Sequence, residues 1–236
     1  MAFECVSRTD VGLRRKVNED SILVRTERGL WAVADGMGGH EAGDVASSKV
    51  TESLLDLPSA DGLDELVDCA VTALRRVNQD LIELAGADGK RSIGSTVVGL
   101  AIADGEFRCF WAGDSRAYRL RGEHIVQLTR DHSLVQDLVD AGMLQPEEAE
   151  DHPNSNIITR AVGVAPNLQI DTVSGDVKSG DQFLLATDGV TRLVLPQELA
   201  VELNSNAPAA AARKLIDMVL SRGAPDNASL VITRIL

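Results

Sequence analysis

An apolar run that stops at an acidic residue and then turns through glycines constrains the fold of this sequence most. Residues 30–34 are all apolar, Asp35 follows them, and glycine stands at positions 36, 38 and 39. A run of this length bounded by glycine is typical of a strand buried on both faces, and glycine lets the backbone turn sharply and approach a small group closely. The pattern therefore predicts a strand that places Asp35 at its end, beside a cleft.

The same order of apolar run, acidic residue and glycine returns at residues 183–189 and, more loosely, at residues 109–114. Asp226 stands just before the predicted strand at residues 228–235. Carboxylates at strand ends are the oxygen ligands that Mg²⁺ and Mn²⁺ prefer. A single Asp-Gly pair also marks ordinary turns, which is how we interpret the pairs that begin at positions 61, 88 and 104. The recurring strand ends together predict a hard-metal site.

Short strands fall into two groups, each followed by helices, with hairpin turns and no repeated alternation of strand and helix. Helices are predicted at residues 44–57, 63–85, 133–141, 196–203 and 208–222, and strands at 3–7, 21–24, 30–34, 96–103, 106–111, 117–120, 125–128, 157–161, 169–174, 182–187 and 228–235. This order favours an α+β fold in which two antiparallel sheets pack face to face and helices cover both outer sides. We expect one domain over residues 1–236, with the polar residues 142–156 as a flap.

Composition narrows the possible partners. A formal net charge of −13 and a pI near 4.7 oppose binding to nucleic acid or to an anionic membrane, because both carry dense negative charge. No basic leader precedes an apolar run, and no apolar stretch is long enough to cross a bilayer, so we expect a cytoplasmic protein. The three cysteines are odd in number and widely spaced, which favours buried free thiols over a disulfide or a zinc site.

Eight short blocks lie along nearly the whole chain, at residues 15–20, 33–40, 94–96, 113–116, 129–133, 158–163, 186–189 and 226–227. In this order they resemble the metal-dependent protein phosphatase family of type 2C in its short bacterial form. The resemblance implies a four-layer α-β-β-α sandwich with metal ions at one end, between the sheets. It also implies an enzyme that hydrolyses phosphoserine and phosphothreonine on proteins.

The resemblance also implies a set of metal ligands. By likeness to the family, Asp35 bridges two divalent ions, Mn²⁺ or Mg²⁺. Asp188 and Asp226 complete the shell of one ion, while Glu19 and the Gly36 carbonyl serve the other. The water that the two ions share would be the nucleophile, since two neighbouring cations lower its pKa and neutralise charge on the phosphoryl oxygens.

Other matching positions receive supporting roles from the same likeness. Asp114 resembles part of a further, weaker metal site. Asp20 would orient metal-bound waters, and Asn227 and Asp131 would support the ligands from outside. Arg15 would bind the substrate phosphate, a role that suits the planar, bidentate guanidinium group.

Met37 departs from the pattern of many eukaryotic relatives, which carry at this position a histidine proposed to protonate the leaving group. Methionine cannot donate that proton. His40, three residues later, resembles a position common in bacterial members and is a candidate general acid, although a structural or turn-capping histidine fits the sequence equally well. A metal-bound water is the other candidate for the acid.

Three functions compete for this sequence. The leading hypothesis is a phosphatase with two Mn²⁺ or Mg²⁺ ions and a weaker third, which counteracts a serine/threonine kinase in bacterial signalling. Its partners would be phosphorylated proteins, including a kinase or its targets, with no nucleic acid and no membrane, and the protein would be a monomer. A two-metal phosphodiesterase should show a basic groove, which the net charge of −13 opposes. A catalytically weak signalling scaffold should lack ligands, whereas every expected carboxylate is present.

Overall fold

The computed structural model describes residues 1–38, 42–86, 92–149 and 152–236. Its strands are β1 (Phe3–Asp10), β2 (Asp20–Arg25), β3 (Leu30–Gly38), β4 (Ile93–Ser95), β5 (Val97–Ala103), β6 (Glu106–Ala112), β7 (Arg116–Arg121), β8 (His124–Gln127), β9 (Asp171–Asp176), β10 (Gln182–Ala186) and β11 (Ala228–Ile235). Its helices are α1 (Gly43–Leu55), α2 (Leu63–Ala85), α3 (Leu134–Asp140), α4 (Asp188–Thr191), α5 (Pro196–Ser205) and α6 (Pro208–Ser221).

The strands form two antiparallel sheets. One has the order β1-β11-β10-β7-β8 and the other the order β2-β3-β5-β6-β9, with β4 paired to the last residues of β3. A short turn closes the hairpin of β5 and β6, where Asp104 and Gly105 have φ angles of 53° and 81°. These left-handed angles suit an Asp-Gly pair, so this pair forms the turn that the sequence predicts.

Side chains alternate along the strands and divide the core into three layers. Trp31 and Val33 of β3 pack between the two sheets, whereas Leu30 and Ala32 pack with α1 and α2. Strands β10 and β11 alternate in the same way between the layer shared by the sheets and the layer that contains α5 and α6. Because successive residues of a strand point to opposite faces, strands in such a position have apolar residues on both faces. The fold is therefore the expected α-β-β-α sandwich.

Helix α2 has the bounds that its periodicity predicts. Leu66, Leu74 and Leu81 lie on its buried face, in the layer between helices and sheet. Glycines with φ angles of 98° and 85° stand immediately before and after it, at positions 62 and 86. Glycine adopts such left-handed φ angles readily, and these two residues set the beginning and the end of the helix. No helix in the described ranges combines the length and the apolar character that crossing a bilayer requires.

Some details differ from the sequence predictions. Residues 157–161 form no strand, because the bridges at this segment go to different partners, Ile158 to Ser133 and Val162 to Ser95. The short helix α4 begins directly after β10 and was not predicted. Within the part of residues 142–156 that is described, a 3₁₀ turn occupies Pro146–Glu148. Of the three free cysteines, only the one at position 109 is fully buried.

Candidate metal centre

A cleft of about 540 Å³ opens where strands of both sheets end. Two predicted site residues lie outside its walls: Asp131 lines a small neighbouring cavity, and Asp20 on β2 contacts a residue of the cleft. A third, His40, is outside the described residues. Met37 also lines the cleft. The fold thus brings residues from both ends of the sequence to one place. The predicted site residues in its walls are Arg15, Glu19, Asp35, Gly36, Asp114, Asp188, Asp226 and Asn227.

Asp20 and Asp35 lie opposite each other on β2 and β3, as one registered pair. Like charges in directly opposite positions destabilise a sheet. Burial raises the pKa of Asp35 well above its usual range, and the carboxylates of Asp188 and Asp20 raise it further. Burial also raises the pKa of Asp20 to about 7, although hydrogen bonds from Ser229 and Thr187 oppose the shift. Protons or a cation would relieve this repulsion.

Asp114 and Asp188 share the guanidinium group of Arg192. Arg192 Nε lies 3.0 Å from Asp188 Oδ2, and Arg192 Nη2 lies 3.4 Å from Asp114 Oδ2. Burial raises the pKa of Asp114 to about 7, the charge of Asp188 adds to the shift, and Arg192 opposes it. One arginine therefore balances only part of the negative charge of two carboxylates.

Three buried carboxylate oxygens have no hydrogen-bond partner among the described residues: Oδ1 of Asp20, of Asp114 and of Asp188. Leaving such an atom unpaired costs about 1–3 kcal/mol, and more when the group is charged. In the described ranges, no three His, Cys, Asp or Glu side chains are placed so that they could hold one ion together. One of the predicted ligands, Asp226, instead accepts a hydrogen bond at Oδ2 from Arg15 Nη2 at 2.7 Å. The oxygen donors and their unpaired atoms nevertheless fit a hard divalent cation.

Gly36 occupies a position where a side chain has no room. A Cβ atom there would lie 1.9 Å from the Gly43 carbonyl oxygen and 2.7 Å from that of Glu19. The Gly36 N–H donates a hydrogen bond of 3.0 Å to the same Glu19 carbonyl. This close approach of three backbone segments explains why glycine follows the acidic residue at the end of the apolar run.

Asn227 is 4% exposed and joins separate backbone segments beside the cleft. Its Oδ1 accepts a hydrogen bond from the Glu19 N–H at 2.8 Å. Its Nδ2 donates to the carbonyls of Val11 and Val17 at 2.9 and 3.0 Å. Asn227 thus fixes both ends of the loop that carries Arg15 and the backbone of Glu19.

Asp131 lies beside the turn that carries Asp114. Both oxygens of Asp131 accept hydrogen bonds from Arg116, and Asp131 lines, with Asp114, a cavity of about 40 Å³. His132 Nδ1 accepts a hydrogen bond of 3.1 Å from the N–H of Gly113. Burial lowers the pKa of His132, which favours the neutral ring that this hydrogen bond requires. These two residues therefore support the turn at 113–114 without lining the cleft.

Arg192 and Thr187 have no predicted role, yet both contact the carboxylates. Arg192 lines the cleft, and the Thr187 hydroxyl donates to Asp20 Oδ2 at 2.9 Å. The sequence does hold an indication for Arg192. This residue stands four residues after Asp188, a spacing that brings two side chains together on the surface of a helix. Thr187 belongs to a matching block, but nothing in the sequence indicates that its hydroxyl reaches a strand so distant in the chain.

Comparison with known sequences shows similarity to phosphatases over nearly the whole of this chain. The family model described as Protein phosphatase 2C matches residues 14–232. Protein phosphatase PhpP of Streptococcus pneumoniae is 36% identical over 232 residues, covering 95% of this chain and 94% of PhpP. Serine/threonine protein phosphatase PstP of Mycobacterium tuberculosis is 35% identical over 243 residues, covering 100% of this chain and 46% of PstP.

Solved structures share the fold along nearly the whole chain. PppA of Pseudomonas aeruginosa, described as a key regulatory component of T6SS, has a TM-score of 0.92 and 42% identity, covering 100% of this chain and 99% of that one. The catalytic domain of PstP in complex with two manganese ions has a TM-score of 0.88 and 32% identity, covering 98% of this chain and 97% of that one. The second of these relatives binds manganese within the same fold.

Proposed function

Because the chain belongs to the protein phosphatase 2C family, we propose that it hydrolyses phosphoserine and phosphothreonine residues of proteins with the help of Mn²⁺ or Mg²⁺. The homologous serine/threonine phosphatase PstP supports the reaction, and its complex with two manganese ions supports the metal dependence. The observation that carries the proposal is the group of buried carboxylates with raised pKa values and unpaired oxygens around one cleft. Divalent cations would stabilise the ionised form of these carboxylates and bind to their oxygens.

We assign the metal ligands as follows. Asp35 would be shared by two ions, Asp188 and Asp226 would complete the shell of one, and Glu19 and the Gly36 carbonyl would serve the other. All five residues line the cleft, which supports this assignment. When bound, the two ions supply a nucleophilic water at neutral pH and neutralise charge on the phosphoryl oxygens. Asp114, which also lines the cleft, would belong to a weaker third site.

The chain's own residues position the substrate and the solvent. Arg15 is 49% exposed at the cleft and can exchange the carboxylate of Asp226 for a phosphate, which offers the same bidentate geometry. Asp20 accepts the Thr187 hydroxyl through one oxygen and has its other oxygen for a water. Met37 lines the cleft but has no proton to donate, so another group protonates the leaving alkoxide.

We propose His40 as that proton donor, from its place three residues after Met37 in the sequence. A general acid must be protonated to act, so its ionisation sets the limb of the pH–rate profile in which kcat falls as pH rises. The His40→Ala variant should be slower and should lose that limb. An unchanged limb would assign the proton to a water or to another residue.

Residues 142–156 are proposed to act as a flap that selects substrates. The end of this segment reaches the site, since Asn156 lines the cleft and the Ser155 carbonyl accepts a hydrogen bond from Arg192 at 3.2 Å. Replacing the segment with that of a relative should change peptide selectivity while Mn²⁺ affinity, measured by calorimetry, stays the same. A change in metal affinity alone would contradict the flap role.

We further propose that the protein reverses phosphorylation by a serine/threonine kinase in bacterial signalling, with the kinase or its targets as substrates. The bacterial phosphatases PhpP and PstP support this by homology. A monomeric state, a cytoplasmic location, a single domain and the lack of nucleic-acid or membrane partners stay predictions from the sequence. Phosphoproteomes with and without the protein test the proposal, because phosphoserine and phosphothreonine sites should increase when it is removed.

The reaction itself is tested with para-nitrophenyl phosphate and a phosphothreonine peptide, each with Mn²⁺ and with a chelator. Asp188→Ala should abolish the activity, whereas Asp217→Ala, which removes an exposed carboxylate of α6 outside the cleft, is the matched control. Undiminished activity in chelator would contradict the metal mechanism. Metal-loaded protein that hydrolyses neither substrate would favour the scaffold, and preference for a phosphodiester would favour the phosphodiesterase.

A further inference from the structure

Residues 13–17, which we call the rim loop, carry the one run of three consecutive basic residues in the sequence: Arg14, Arg15 and Lys16. The chain has 23 lysines and arginines against 36 aspartates and glutamates, so the rim loop reverses the prevailing sign of the charge. Its central residue, Arg15, lines the cleft. Positive charge is therefore concentrated beside a cleft whose walls are rich in carboxylates.

The backbone of the rim loop is fixed by the turn at residues 224–227. The Leu13 N–H donates to a carbonyl of this turn at 2.9 Å, and the Asn227 side chain donates to the Val17 carbonyl at 3.0 Å. Gly12, just before the loop, has a φ angle of 78°, and a Cβ atom there would lie 2.2 Å from another carbonyl oxygen of the same turn. The loop thus packs against the turn and cannot move away without breaking these contacts.

The side chains of the rim loop are available for binding. Leu13, Arg14, Lys16 and Val17 are exposed. In the part of the chain that the structure describes, neither Arg14 nor Lys16 forms an ion pair or a side-chain hydrogen bond. A surface with a fixed backbone and uncommitted charges loses less freedom on binding than a mobile loop does, which favours a docking role.

We propose that the rim loop is a docking surface for acidic side chains next to the phosphorylated residue of a protein substrate. The proposal rests on the proposed phosphatase function and names a substrate class for it. Consecutive Cα atoms are about 3.8 Å apart, so Arg14 and Lys16 stand close to the flanks of a phosphorylated residue that Arg15 holds. At this range, within a Debye length of about 8 Å, their charges act on those flanks even in physiological salt.

Acidic flanks fit this surface although the cleft is itself acidic. The carboxylates of the cleft are largely buried or paired, with Arg192 as partner of Asp114 and Asp188. The charges of Arg14 and Lys16 instead face the solvent, where the flanks of a bound peptide lie. A peptide with basic flanks would meet repulsion from the rim loop at the same positions.

The test uses phosphothreonine peptides that differ only in their flanks, with glutamate, alanine or lysine on both sides of the phosphorylated residue. Values of kcat/KM with Mn²⁺ are compared for the wild type, for Arg14→Glu/Lys16→Glu, and for the control Arg75→Glu/Arg76→Glu. The control makes the same change of charge on α2, away from the cleft. The ratio of the glutamate peptide to the alanine peptide within each variant cancels differences in overall activity.

We expect the wild type to prefer the glutamate peptide by roughly three- to tenfold at low ionic strength, since two exposed charge pairs act together. The preference should disappear or reverse in Arg14→Glu/Lys16→Glu, persist in the control, and weaken at about 0.5 M salt. A wild-type ratio near one, or an equal loss in both double variants, would overturn the docking proposal and leave the phosphatase function intact. Metal-loaded protein that hydrolyses none of the peptides would refute the proposed function and the docking proposal with it.

Discussion

Replacement of Asp114 by asparagine should stabilise the metal-free protein at alkaline pH, because it exchanges a buried charge for a neutral side chain of the same shape. Asp114 is 4% exposed, and its Oδ1 has no hydrogen-bond partner in the described part of the chain. Arg192 Nη2, at 3.4 Å from the other oxygen, offers limited compensation. Burial, and then the charge of Asp188, raises the pKa of Asp114 from its usual value of 3.8 to about 7.

The size of the effect follows from that shift. A difference of about three pKa units between the folded and unfolded chain corresponds to about 4 kcal/mol of stability lost when the carboxylate is ionised. Below pH 3.8 the group is protonated in both states and costs nothing. The cost grows between that pH and about 7, and it is complete above this range. The Asp114→Asn variant lacks this cost, so its advantage over the wild type grows as pH rises.

Urea unfolding in chelator, followed by circular dichroism, measures the difference in unfolding free energy. We expect Asp114→Asn to exceed the wild type by about 2 kcal/mol near pH 5.5 and by about 4 kcal/mol near pH 8.5. Asp217→Asn, an exposed position on α6, should stay within about 0.5 kcal/mol of the wild type at both pH values. An advantage that is absent, or that does not grow with pH, would refute the assignment of a raised pKa to Asp114.

Three further predictions concern other contacts of the site and the core. Asn227→Ala leaves a backbone N–H and two carbonyls without their partner, so the unfolding free energy in urea should fall by about 2–4 kcal/mol. Gly36→Ala places a Cβ atom 1.9 Å from a backbone oxygen and should lower the thermal midpoint strongly, whereas Gly105→Ala, where nothing lies within 4 Å, should cost only about 1–2 kcal/mol for its left-handed φ. Cys109 is fully buried and the other two cysteines are half-buried, so a thiol reagent should modify only those two in the native protein, and all three in urea.

The layers of the fold could be predicted because they follow from local periodicity. Residues 30–34 are apolar at every position since β3 has helices on one face and a sheet on the other. The bounds of α2 follow from its apolar spacing and from the glycines beside it. The predicted strand at residues 157–161 was wrong because pairing depends on which neighbours the rest of the fold supplies, and apolar spacing carries no such information.

The acidic residues that line the cleft could be predicted as a set, but their contacts could not. The motif blocks identify the carboxylates that line the cleft. The hydrogen bond from Thr187 to Asp20 joins residues 167 positions apart, and that from Arg192 to Asp114 joins residues 78 positions apart. Such pairs depend on which strand ends meet in space. The raised pKa values of Asp20 and Asp114 could not have been foreseen either, since burial, their main cause, also depends on how the strand ends meet.

The cleft is completed by the pairing of β1 with β11, whose register runs from Phe3 opposite Ile235 to Asp10 opposite Ala228. This register brings the rim loop to Asp226 and Asn227, and it joins Arg15 to a residue 211 positions away. Closing a loop between residues of such separation costs conformational entropy before the contacts stabilise the chain. The repulsion among the carboxylates adds to the cost of bringing these segments together. A cation that binds only the folded cleft would offset that repulsion, so metal binding at this site would also stabilise the fold.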